Sequence, residues 1–190
     1  MLKKTLSILV GVLFSLLCVS FAYATDVIDV GKRISSNPEN IYTVYIGMPK
    51  DEVDFNFSDV KDWEKESSQR WNSYYLKRDI TPSISQHVWI QFDSTNHVSK
   101  VGNTFVLSTF TSGGTHNPEV QAVYNAMYDV LRAKYGEPHG IRMPGVRCRG
   151  GAAWFSNQHV YELTKYVWDE YTHVGLLVFP IQNSEYDKQK

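Results

Sequence analysis

The 190-residue chain sets 19 Lys and Arg against 20 Asp and Glu, a formal charge of −1. That balance leaves no global basic field with which to hold nucleic acid. Its two cysteines, Cys18 and Cys148, fall on either side of a predicted processing site, so disulfides within one mature chain are excluded and an ordinary hydrophobic core must supply the stability.

The first element is a targeting segment. "MLKK" is a positive n-region, "TLSILVGVLFSLLCVSF" an unbroken apolar stretch, and "AYA" at Ala22 to Ala24 the small-x-small site of a signal peptidase. Residues 1–24 therefore read as a cleaved secretory signal, and the mature chain begins at Thr25. An uncleaved anchor is the competing reading, because about 17 apolar residues approach membrane-spanning length; the polar "TD" directly after the site favours cleavage. A lipoprotein would use Cys18, but Leu17 before it is not the small residue that lipidation needs. Cleavage removes Lys3 and Lys4 and no acid, so 19 bases against 20 acids become 17 against 20 and the charge moves to −3.

Residues 25–40 are polar and end in the breaker "SSNPEN", which predicts a leading arm. "IYTVYI" reads as a strand or extended entry. At "GMPKDEV", Gly47 stops the strand, Pro49 suits a first helical position, and Asp51 and Glu52 favour a helix N-terminus. The following "DFNFSDVKDWEKESSQ" reads as a loop or a second helical turn around Trp63. Three strand-like segments come next, "RWNSYYLKRD", "HVWIQFD" and "VSKVGNTFVLSTF"; the last two form a hairpin about "STN", with Val88, Ile90 and Phe92 alternating against His87, Trp89 and Gln91.

The clearest local signal is a helix over 117–135. Asn117 is a natural N-cap, Pro118 fits the first turn, and Val120, Val123, Tyr124, Met127 and Leu131 recur at helical spacing until Gly136 and Pro138 end it. After the Gly- and Pro-rich "HGIRMPGVRCRGG", strand-like text returns as "AAWFSN", "VYELTKYVW" and "HVGLLVFPI", followed by a polar tail, 183–190. A helix followed by three strands thus occurs twice. The fold class is α+β, with antiparallel sheet packed against one or two helices in a domain over 41–182, open to division into tandem halves 41–112 and 113–182.

"IGMPKDEV" followed by "HVWIQFDSTNHVSKV" resembles the SmpA/OmlA family of small outer-membrane assembly lipoproteins. The matching residues are Gly47, Met48, Lys50 and Val53, then Phe92, Asp93 and Val98. The two helix-led units also resemble the β-lactamase inhibitor protein, which is built of two helix-then-antiparallel-sheet repeats with an aromatic-rich sheet face. The resemblance spans about residues 41–110 by motif and the rest by element order. It implies a scaffold that presents a sheet face or loops to another protein. Pro49 after Met48, and the absence of an acceptable lipid-anchor cysteine, depart from the SmpA/OmlA pattern.

Chemistry has fewer candidates. Cys148 lies in "VRCRGG" between Arg147 and Arg149, with Arg142 close by; neighbouring cations lower a thiol pKa, and His139, His159 and His173 are candidate bases. No thiol-hydrolase signature surrounds it, so a free thiol in a loop is the preferred reading. The same Arg142, Arg147 and Arg149 among glycines offer guanidinium forks to a carboxylate or phosphate. The six histidines make no metal-ligand spacing, and no metal or cofactor is expected. Trp71, Tyr75, Trp89, Trp154, Tyr166 and Trp168 fall in predicted strands, where some must lie opposite the core-facing set. Exposed, they would anchor a partner; the alternative is that a helix or second layer covers them.

These readings converge on an exported, non-enzymatic protein-interaction module of the cell envelope or extracellular space, with Trp71, Tyr75, Trp89, Trp154, Arg142, Arg147 and Arg149 as binding residues. Its expected partner is another envelope or extracellular protein, not nucleic acid, with membrane contact only through the uncleaved precursor. The alternative is an envelope enzyme or a small-anion binder built on the Arg/Cys148 loop. Replacing Cys148 with Ser is expected to leave the melting temperature and any binding unchanged; a large loss of activity in that variant would establish the thiol as chemically engaged.

Overall fold

The computed structural model describes residues 27–58, 63–81, 84–108, 118–142, 148–167 and 171–182. The predicted signal and its cleavage site, Asn117, Arg147, Trp168 and the polar tail lie outside the described residues. Among the described residues, three helices, α1 (27–36), α2 (Lys50–Asn56) and α3 (Pro118–Tyr135), accompany eight strands. The strands are β1 (Glu64–Ser68), β2 (Ser73–Thr81), β3 (Ile84–Phe92), β4 (Val98–Ser108), β5 (Gly140–Arg142), β6 (Cys148–Phe155), β7 (His159–Val167) and β8 (Tyr171–Pro180). They form one antiparallel sheet in the order β1-β2-β3-β4-β8-β7-β6-β5. Short connections pair neighbours within each half of the chain, and the last strand of each half pairs with the other, from Val101↔Val178 to Ser108↔Tyr171.

Strand alternation sets the two faces. In β3, Ile84, Gln86, Val88, Ile90 and Phe92 are buried while Ser85, His87, Trp89 and Gln91 are half-buried on the other side. Register carries the same division across the sheet. Leu76 pairs with Val88, Val101 with Ile90 and with Val178, and Phe105 with Val174. These residues join Val27 and Ile34 of α1, Val53 of α2 and Val120, Val123, Met127 and Leu131 of α3 in one core. All three helices therefore lie on one face. The opposite face is called the open face below.

α3 matches its predicted period and end: Gly136 has φ +83°, and its N–H donates to the Arg132 carbonyl at 2.9 Å. The structure departs from expectation elsewhere. The polar arm contains α1, a helix whose Gly31 meets α3 so closely that a Cβ there would stand 3.1 Å from Met127 Cγ. "IYTVYI" is not a strand but a tight turn: Ile41 and Val44 exchange two backbone hydrogen bonds at 3.0 Å, with Tyr42 and Thr43 at φ 52° and 67°. Pro49 caps α2 from one residue outside it. "EKESS", read as loop or helical turn, is edge strand β1, almost wholly exposed and so without an apolar alternation to announce it. Each half supplies four strands rather than three, because the short β5 also forms inside the Gly- and Pro-rich connection.

"GMPK" is a strap on the start of β4. Gly47 N–H donates to the Val98 carbonyl at 2.7 Å, Val98 N–H to Met48 at 2.9 Å, and Lys50 N–H to Asn96 at 2.9 Å. The two separated pieces of the SmpA/OmlA-like pattern are thus one hydrogen-bonded unit.

Leu131 is fully buried on α3, whereas Phe55 on α2 is 79% exposed. Leu131→Ala is expected to cost about 2–5 kcal/mol in urea unfolding, and Phe55→Ala less than about 0.5 kcal/mol. Equal losses would contradict this placement of the core.

Candidate functional site

The open face gathers polar and aromatic side chains from several strands. Tyr75 pairs with Trp89, and His87 with both Lys77 and Thr104. Thr104 in turn pairs with Gly175, while His173 pairs with Val106 and Tyr166. Backbone register thus carries one continuous surface from β2 to β7.

His87 is its centre. The Tyr75 hydroxyl hydrogen-bonds His87 Nδ1, with the two rings edge to face at 5.1 Å between centroids. On the other side His87 Nε2 shares a 2.9 Å hydrogen bond with Ser85 Oγ. A neutral imidazole donates at one nitrogen and accepts at the other, so it links the two hydroxyls. Burial pushes the His87 pKa down to about 4, with the neighbouring His173 and Lys77 adding repulsion and Asp79 opposing them. Burial also depresses His173 and raises Tyr75, the latter with help from Glu66. Near neutral pH the patch therefore presents uncharged imidazoles, hydroxyls and aromatic surface. Ser85 and His87 form a hydroxyl–imidazole pair on this face.

The structure sorts the sequence candidates. Tyr75, 37% exposed, and Trp89, half-buried beside Gly102, come together on the open face. Trp71 is not in a strand; it stands in the β1–β2 turn, 59% exposed, with the Arg70 guanidinium 5.1 Å from its ring. Trp154 cannot serve as a surface anchor. It is fully buried on the helix side, donates from Nε1 to the Gly136 carbonyl at 2.9 Å and packs edge to face on Tyr128. Tyr166 pairs with His173 on β8 and with Cys148 on β6. The side chains of Arg142, Cys148 and Arg149 lie outside the described residues, as does Arg147, so the arginine loop adds no described geometry to the site.

His87, Ser85 and His173 are the members that sequence reasoning missed. Ser85 and His87 precede Trp89 at alternate positions, so the strand period places all three on one face. Nothing local, however, says that β8 brings His173 beside them.

A second concavity lies at the end of the sheet that holds the strap. It is an open pocket of about 420 Å³ lined by Pro49, Lys50, Asp51, Asp54, Thr95, Asn96 and His97. The Lys50 ammonium sits over the rings of Tyr74 and Phe92, 5.1 and 5.2 Å from their centroids, and donates to Asn72 Oδ1 at 3.4 Å. Asp54 accepts from Lys65 and, at 2.9 Å, from the Tyr74 hydroxyl. These bonds, chiefly, hold its carboxyl below the ordinary value against the upward push of burial.

No family model matches the chain, and none of the curated proteins matches its sequence. Among solved structures, it is similar to the crystal structure of a DUF4309 family protein, YjgB, from Bacillus subtilis. The TM-score is 0.39 at 11% identity, covering 82% of this chain and 97% of that one.

The depressed His87 pKa carries a signed consequence. The folded state resists protonation that the unfolded chain accepts near 6.5, so stability is fully present above about pH 6.5 and declines as pH falls toward about 4. Asp54 and Asp93, whose folded values are lowered, lose their contribution below that window, as pH falls under their ordinary 3.8. In thermal unfolding, His87→Gln is expected to make the melting temperature fall less steeply between pH 6.5 and 4, with the residual slope carried by the likewise depressed His173 and His159, while leaving the more acidic limb in place. An unchanged profile would show that the ring titrates freely.

Proposed function

We propose that the chain is an exported, non-enzymatic binding protein that engages another protein of the envelope or extracellular space through the open face of its sheet. The observation that carries this reading is the hydrogen-bonded aromatic cluster of Tyr75, His87 and Trp89, flanked by Lys77 and Asp79, on the face away from all three helices. Rigid aromatic side chains make good anchors, because they bury a large area at small entropic cost. Tyr75 and His87 are also tied to each other, which lowers the cost of ordering them on contact.

The sheet order supports the finer kinship as well. Two helix-led groups of four strands meet through their last members, an arrangement in keeping with the two-repeat plan of the β-lactamase inhibitor protein. The strap of Gly47 to Lys50 on β4 gives the SmpA/OmlA-like residues a shared structural task. Both likenesses favour a scaffold whose function resides in its surface.

The test uses the chain from Thr25, immobilised against an envelope extract, with retained proteins identified and their affinities measured. Tyr75→Ala is expected to weaken the specific partner about tenfold or more, and Arg132→Ala, on the helix side, to leave it unchanged. Equal retention by the two variants, both folded by circular dichroism, would overturn the open-face reading.

A further inference from the structure

We infer that Asn56, the last residue of α2, is the acceptor for an N-linked glycan attached as the chain is exported. The inference rests on the export reading of residues 1–24 and is independent of the open face.

The first argument is the residues around it. Asn56, Phe57 and Ser58 have the Asn-x-Ser spacing of a glycan acceptor, with no proline between. No other asparagine of the chain has Ser or Thr two positions on. Asp54 stands two positions before Asn56, which extends the match to the five-residue acid-x-Asn-x-Ser form read by oligosaccharyltransferases of bacterial envelopes. In the transfer, Asn56 Nδ2 attacks the anomeric carbon of an oligosaccharide carried on a polyprenyl diphosphate. A C–N bond replaces the sugar's C–O bond to phosphate, the lipid diphosphate leaves with the electron pair, and one amide proton passes to the enzyme's base.

The second argument is which of these groups the fold uses. The Asp54 carboxylate accepts from Lys65 on β1 and, at 2.9 Å, from the Tyr74 hydroxyl on β2, and Ser58 Oγ donates to the Phe55 carbonyl at 2.9 Å. Both recognition groups are thus engaged once the strands close on α2, which times the transfer before folding is complete. Asn56 differs. Its side-chain amide has no hydrogen-bond partner among the described residues. The side-chain amides of Asn72, Asn96, Asn103 and Asn125 all bond within the fold. A glycan on Asn56 Nδ2 therefore displaces no hydrogen bond.

The third argument is position. Val53 is fully buried and Phe57 packs on the core, which anchors this end of α2. Asn56 itself is half-buried, and the residues beside the anchor, Phe55 and Ser58, are exposed. A helix ending at the surface lets a bulky, hydrophilic substituent stand in solvent without entering the core.

The test is mass spectrometry of the full chain isolated from the cells that make it, digested with trypsin. The expected result is an N-terminal peptide beginning at Thr25 and a peptide 51–61 that carries a hexosamine-containing oligosaccharide on Asn56. Asn56→Gln and Ser58→Ala are expected to abolish the modified peptide, and Ser58→Thr to keep it. A chain that begins at Thr25 but yields peptide 51–61 solely at its unmodified mass overturns the inference and leaves export standing. A chain that retains residues 1–24 overturns the export reading, and the inference with it. Sugar that persists on the Asn56→Gln chain would lie elsewhere and would equally overturn the assignment.

Discussion

The antiparallel pairing of β4 with β8 is the constraint on which the rest of the molecule depends. Without those eight rungs the chain would be two four-stranded sheets, each with exposed edges and a core too small to be stable alone. With them, Val101 and Phe105 of one half and Val174, Leu176 and Val178 of the other enter a single core beneath the helices. The same pairing decides the opposite face, because it brings β8, and with it His173, within electrostatic reach of His87 on β3. Stability and the candidate surface are thus two faces of one long-range contact.

A buried polar relay marks where this economy is strained. Arg78 can only donate, and its Nε bond of 2.8 Å to Gln86 Oε1 fixes which way that amide points. Gln86 Nε2 then donates to Asn103 Oδ1, which leaves Asn103 Nδ2 buried and without a partner among the described residues. Such a donor costs on the order of 1–3 kcal/mol. The turn that delivers Tyr42 to this relay also holds Thr43, a β-branched residue, at positive φ. What offsets these costs is visible in the same cluster: Tyr42 and Trp63 meet edge to face at 5.3 Å, and Arg78 lies 5.4 and 4.8 Å from their rings. The cation and its aromatic partners hold the 41–44 turn against the sheet.

What the amino-acid sequence reveals follows from how local each signal is. α3 and the β3–β4 hairpin are legible because periodicity, caps and turn residues agree within a few positions. β1 is not, since an exposed edge strand has no reason to alternate. α1 is disguised by the polar composition of 25–40 and the "SSNPEN" that ends it, although its Gly31 is the contact point with Met127. The placement of Trp154 is ambiguous in the sequence for a different reason: in "AAWFSN" both alternating sets, Ala152 with Trp154 and Ala153 with Phe155, are apolar, so the period gives two faces without saying which is the core. For the site, Tyr75 and Trp89 were legible as members of one surface. Their union with His173 required β4–β8 register, which no short window of sequence contains.

The geometry of that register also shapes the centre of the open face. Gly175 stands opposite Thr104, and a Cβ there would come within 3.0 Å of Thr104 Oγ1; at Gly102 it would stand 3.1 Å from Leu177 Cδ1 and 3.9 Å from Trp89 Cε3. A larger residue would force Thr104 or Leu177 to give by a few tenths of an ångström, while Trp89 stays at ordinary contact distance. With glycine in both places, Trp89 and Leu177 close over Gly102. Tyr75 and Ser85 flank His87 within its own pair of strands, and the sheet beneath stays low. Exclusion of water is what depresses the His87 pKa, and the same exclusion strengthens the hydrogen bonds by which the neutral ring holds the Tyr75 and Ser85 hydroxyls. The same desolvation therefore both depresses the His87 pKa and fixes the cluster of Tyr75, His87 and Ser85 in place.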